Sequence, residues 1–134
     1  MEKKTNIKKI IMWLIVCIFA LIVVISKSAS GDNPKAEMVL FYSPGCPHCH
    51  HAIEFLNKIE PQYKDLKITK YDTSKRSGVN YYFHYAKKLG INNAGAVSLA
   101  IFGENYELGF GSEDTTGKKY IEYIDLMLKT PTKK

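Results

Sequence analysis

The stretch VLFYSPGCPHCHH, Val39 to His51, decides the fold. It opens inside an apolar run, Met38 to Ser43, whose lack of alternation is that of a strand covered on both faces. It leads into HHAIEFLNKIE, where Ile53, Leu56 and Ile59 recur three apart on one helical face, and Pro61 marks that helix's end. Between the two, PGCPHC turns the chain. Cys46 and Cys49 therefore fall at the junction of a buried strand and the first turn of a helix.

That junction suits a reactive sulfur. The first N–H groups of a helix have no intrahelical partner and carry the positive end of its dipole, so they stabilise an anion placed on them. Pro47 fits the first helical position, where a missing N–H costs nothing. His48 can lend the thiolate a hydrogen bond or partial charge. Cys49, one turn on, can resolve a mixed disulfide formed at Cys46. Cys46 is thus expected as the attacking thiolate and Cys49 as the buried resolving thiol. The His in the dipeptide leans toward donating disulfides.

The same residues admit two other readings. Cys46 to His50 spells C-x-x-C-H, the pattern of c-type haem attachment. Against it, a buried strand runs straight into the motif, and the methionines outside the N-terminal segment, Met38 and Met127, sit at a strand start and in an apolar stripe. A metal carrier could use the two thiols with His50 or His51. Residues so close on a helix point in different directions, however, and beyond the motif only His84 could help complete a shell. Neither cofactor nor metal is expected.

Outward from the motif, LKITKYD (Leu66 to Asp72) alternates as a second strand. SGVNYYFHYAKKLG predicts a helix from about Ser77, with Val79, Tyr82, Phe83 and Ala86 inward and Gly90 as its stop. AVSLAIF (Ala96 to Phe102) and NYELGF (Asn105 to Phe110) predict a hairpin turning at Gly103 and Glu104. EDTTGKKYIEYIDLMLK predicts a closing helix with Ile121, Ile124 and Leu128 inward. The order is β-α-β-α-β-β-α, an α/β fold with a mixed four-stranded sheet. Tyr81, Tyr82, Phe83 and Tyr85 are a candidate peptide-binding stripe, although half of any such stripe must line the core.

Over residues 37 to 128 the sequence resembles the thioredoxin superfamily. The resemblance rests on VLFYSPGCPHC, LGI at Leu89 to Ile91, AVSLAIFG, and the Gly109 to Gly111 turn before the last helix. It implies a minimal thioredoxin-like fold and thiol–disulfide exchange at Cys46 and Cys49 with protein substrates. The Pro-His dipeptide is similar to that of DsbA-type extracytoplasmic oxidases, without their helical insertion. Two positions depart from the pattern. Where the family carries a cis-proline that holds substrate backbone, this chain has Val97-Ser98, so Ser98 and Val97 are the candidate substrate-binding residues. A trans bond is expected there, since a cis bond without proline costs about 3 to 4 kcal/mol. Relatives also place a carboxylate six residues before the first cysteine to accept the resolving thiol's proton. Here that residue is Leu40, which leaves Glu37 as a candidate.

The N-terminus is of another character. Lys3, Lys4, Lys8 and Lys9 precede the apolar run Ile10 to Ile25, a membrane-targeting segment of about 24 Å as a helix. Ser28 and Ser30 offer a weak processing site, so residues 1 to 30 are expected as an uncleaved anchor, with a cleaved signal as the alternative. Lysine asymmetry puts the N-terminus in the cytoplasm and the remainder outside, where disulfides persist and a membrane redox partner can reset the dithiol. Residues 31 to 36 are a linker, 37 to 129 the folded domain and 130 to 134 a tail. The net charge of +6 belongs mostly to the first thirty residues. Without their five Lys and one Glu, 14 basic residues stand against 12 acidic, with no basic cluster, and nucleic acid is not expected as a partner.

Overall fold

A computed structural model of the protein describes residues 2–25, 34–93 and 95–130. The expected processing site at Ser28 and Ser30, most of the linker and the last four residues of the tail lie outside the described residues. Two compact units divide the chain, residues 1–32 and 33–134. The first is helix α1, Glu2–Ile25. Among the described residues no helix is long and apolar enough to cross a membrane.

The second unit runs β1 (Ala36–Tyr42), α2 (Pro47–Ile59), β2 (Leu66–Asp72), α3 (Arg76–Leu89), β3 (Leu99–Phe102), β4 (Asn105–Leu108) and α4 (Lys118–Lys129). These form one sheet in the order β2-β1-β3-β4. β1 pairs parallel with β2 and antiparallel with β3, and β3 pairs antiparallel with β4. The expected element order holds throughout, with differences at the ends. β3 starts at Leu99 rather than Ala96, because Ala96 to Ser98 belong to a loop whose hydrogen bonds go elsewhere. The closing helix starts at Lys118, after a wider turn over Glu113–Gly117 in which Ser112 and Thr115 cap one another.

β1 explains the layering. Met38 and Leu40 face one side with Ala100 and Phe102 of β3, under Ala52, Phe55 and Leu56 of α2 and Tyr120 and Ile124 of α4. Val39 and Phe41 face the other side with Leu99 and Ile101, under Tyr82 and Ala86 of α3. The uninterrupted apolar run of the sequence is therefore two cores in alternation, each needing a helical cover. On α3 the inward line is Gly78, Tyr82 and Ala86, while Phe83 is 52% exposed, which corrects its expected inward placement. Phe83 lies one residue round from the buried line, a step of about 100° on a helix.

Gly90 ends α3 in the left-handed region (φ 66), its N–H reaching the Ala86 and Lys87 carbonyls. Gly78 has a different reason to be glycine: a Cβ there would overlap the Asp72 carbonyl, where α3 passes the end of β2. Gly78→Ala is accordingly expected to destabilise the fold by about 2 to 3 kcal/mol, as an overpacked core position does. A denaturant titration beside wild type measures it.

Candidate active site

The chain leaves β1 at Tyr42 and reverses through Ser43 to Gly45, closed by the Cys46 N–H on the Ser43 carbonyl at 3.1 Å. His50 fastens the turn from below, its Nε2–H donating to the Pro44 carbonyl at 2.7 Å. Cys46 is the N-cap of α2, in extended conformation (φ −97, ψ 112), and Pro47 occupies the first helical position. The Cys49 N–H donates to the Cys46 sulfur at 3.3 Å. Cys46 Sγ thus takes the place that a capping hydroxyl or carboxylate oxygen takes elsewhere, sharing the Cys49 amide with the Cys46 carbonyl at 3.1 Å. Cys46 is partly exposed, Cys49 is fully buried one turn behind it, and both are free thiols.

Burial pushes the Cys49 thiol up to about 11 from an ordinary 9.0, and its hydrogen bond with the Cys46 thiol adds to the shift. The two sulfurs are therefore unlike, one capping a helix at the surface and one held protonated in the core.

His48, the second residue of the helix, places Nδ1 3.0 Å from the Phe110 carbonyl oxygen. A carbonyl only accepts, so Nδ1 carries the proton and Nε2 is left as the ring's free nitrogen. The contact ties the dithiol turn to the segment between β4 and the closing helix. No sequence signal marked Phe110, because the contact uses its backbone.

Ser98 is fully buried, and the Val97–Ser98 bond is cis, against the trans bond expected. Tertiary pairing sets the backbone here: the Ser98 carbonyl accepts the Gly109 N–H at 2.7 Å, continuing the β3–β4 pairing one step past Leu99 and Leu108. The Tyr82 hydroxyl clamps the preceding loop, donating to the Ala96 carbonyl at 2.9 Å and accepting the Gly95 N–H at 3.0 Å. Val97 is half-buried against the α3 side of the sheet. The Ser98 Oγ and the Tyr120 hydroxyl are buried without a hydrogen-bond partner. Burial raises the Tyr120 phenol, the nearby Ser98 hydroxyl opposes that shift, and the charges of Glu107 and Cys49 add to it. The Ser98 and Tyr120 hydroxyls are thus close without completing a hydrogen bond. An unpaired buried hydroxyl costs about 1 to 3 kcal/mol. No sequence signal singles out Tyr120, and only its place in the fold marks it.

Glu37 is not near the thiols. It lies on β1 in step with Val39 and Phe41, the α3 side, whereas Cys49 lies under α2. Its carboxylate takes the Thr69 hydroxyl at 2.6 Å and Lys67 at 2.9 Å, and these hold it below the usual carboxylate range. Leu40 is fully buried on the α2 side. The other histidines are dispersed: His51 Nδ1 stands 3.8 Å from Glu54, and the His84 ring lies edge-on to Tyr85. Among the described residues no group of three or more His, Cys, Asp or Glu is placed to hold a metal ion. Of the aromatic stripe, Tyr82 is core and Tyr81 stacks on Tyr71 at 4.7 Å.

No family model matches the chain, and no curated protein does. Among solved structures it is similar to thioredoxin O2 from Arabidopsis thaliana in its oxidized state, with a TM-score of 0.47 and 19% identity over 68% of this chain and 76% of that one. The chain's own architecture carries the assignment: a β2-β1-β3-β4 sheet, α2 and α4 on one face, α3 on the other, and the C-x-x-C pair capping α2. The fold is thioredoxin-like.

In a thioredoxin-like domain with this buried thiol, stability depends on pH in a definite direction. The folded state holds the Cys49 proton more tightly than the unfolded chain does, so the contribution is complete below 9.0 and fades as pH rises toward about 11. The reduced protein should lose stability across that window, and Cys49→Ala should lose less. The denaturant midpoint of both proteins, followed through the window, checks this, and their difference removes the tyrosines common to both.

Proposed function

We propose that the protein is a thiol–disulfide oxidoreductase acting on protein thiols and disulfides. The observation that carries the proposal is the Cys46 sulfur on the Cys49 amide at the start of α2, with the Cys49 thiol buried behind it. Cys46 attacks a disulfide sulfur of the substrate, one substrate sulfur leaves, and Cys49 displaces the other to close the Cys46–Cys49 disulfide. Run backward, the same steps oxidise a substrate dithiol. Val97, half-buried just before β3, is the residue proposed to hold substrate backbone; Ser98, fully buried with its carbonyl on the Gly109 N–H, is not exposed to a substrate.

The domain is proposed to work outside the cytoplasm, oxidising its substrates and reset by a membrane redox partner. Support comes from the N-terminal lysines followed by the apolar run Ile10 to Ile25, and from the exposure of that run's side chains from Ile10 to Val16 along α1. The Pro-His dipeptide supports the oxidising direction.

Cys46→Ser is expected to abolish both insulin reduction and oxidation of a reduced substrate, and Cys49→Ser to accumulate a mixed disulfide between Cys46 and substrate. Full activity in Cys46→Ser overturns the proposal. The reduction potential of the pair reads the direction: near about −120 mV for an oxidant, near about −270 mV for a reductant.

A further inference from the structure

The resolving thiol poses a problem that the dithiol turn does not solve. Cys49 is fully buried, and although the backbone at Ser43 and Cys49 favours its thiolate, burial outweighs that and raises the thiol. Yet to displace a substrate sulfur from Cys46, Cys49 must give up its proton in that setting.

Two polar atoms on the same side of the sheet have nothing else to do. Ser98 is in step with Ala100 and Phe102 along the chain, which places it on the α2 and α4 face. Tyr120 reaches that face from α4. Its ring is packed by Phe102 at 5.0 Å, Phe110 at 5.4 Å and Phe55 at 6.3 Å, so apolar contacts set its position and the hydroxyl is left over. Two of those rings lead back to the dithiol: Phe55 lies on α2 beyond Cys49, and the Phe110 carbonyl holds His48. Both hydroxyls are buried and unpartnered among the described residues, and Ser98 stands one step before Leu99, which pairs with Phe41, so it lies at the end of β1 from which the chain turns into Cys46 and Cys49.

We propose that the Ser98 and Tyr120 hydroxyls are the hydrogen-bond donors that receive the Cys49 thiolate as it forms, and so belong to the machinery of the resolving step. The inference rests on the oxidoreductase reading of the same site. In the step it serves, the Cys49–Cys46 bond forms, the bond between Cys46 and the substrate sulfur breaks, and the two enzyme sulfurs are oxidised as the substrate sulfur is reduced. The proton that leaves Cys49 ends on the departing substrate thiolate, and the hydroxyls keep their own.

The test follows the two steps separately in the full chain with a disulfide peptide: formation of the mixed disulfide at Cys46, then release of the peptide thiol as Cys49 closes the pair. Tyr120→Phe and Ser98→Ala are each expected to slow the second step by about threefold. That is the thiolate lost in a one-unit pKa rise, partly offset by the greater nucleophilicity of the more basic sulfur. The first step serves as the internal reference, and thermal stability should not fall, since each substitution deletes an unpaired buried group. An unchanged second step overturns the inference, as does a slowing of both steps in equal measure. Failure of the wild-type protein to form any mixed disulfide instead overturns the oxidoreductase reading, so the two failures are told apart.

Discussion

The structure depends on a central strand with no polar face. β1 presents Met38 and Leu40 to one side and Val39 and Phe41 to the other, all but fully buried, so both sides of the sheet must be roofed by helices. The chain satisfies this by sending α2 and α4 over one face and α3 over the other. One consequence is chemical. The turn from β1 into α2 is only four residues long, and it delivers the start of the helix, with the Cys49 amide, to the Cys46 sulfur. Burial of an apolar strand and placement of a sulfur at a helix N-terminus are two results of the same crossover.

The two cysteines are separated by environment more than by distance. Cys46 keeps partial exposure because the N-cap lies outside the helix proper, where an incoming disulfide can reach it. Cys49 is on the buried side of α2 and fully enclosed, and burial favours its protonated form. In the proposed exchange, one reachable sulfur and one withheld sulfur fix an order of action: the surface sulfur meets substrate first, and the buried sulfur acts on what is already bonded to its neighbour.

How much of this was legible in the sequence depended on whether a feature was local. The strand–turn–helix junction could be read from Val39 to His51 because apolar continuity, Pro47 and the three-residue spacing of Ile53, Leu56 and Ile59 are properties of one segment. Gly90 as the stop of α3 was legible for the same reason. Glu37 was misplaced because its side of the sheet follows from β1's alternation against α2 and α3, which only the assembled layers define. The cis bond before Ser98 opposes the local preference, and the β3–β4 pairing beside it joins residues eleven apart. His48 was recognised by type, but its partner is a main-chain carbonyl 62 residues on, which no side-chain pattern could announce.

Several of these distant contacts converge behind the dithiol. Tyr82, from the opposite face of the sheet, clamps the loop that leads into Ser98. The Gly109 amide holds the Ser98 carbonyl, and the next residue, Phe110, gives its carbonyl to His48 and its ring to Tyr120. The β4–α4 connection therefore holds His48 of the dithiol turn by the Phe110 carbonyl and packs Tyr120 by the Phe110 ring. A shift of that connection would move His48 and Tyr120 together, which is why the turn at Gly109 to Gly111, far from the cysteines in sequence, is coupled to the dithiol turn.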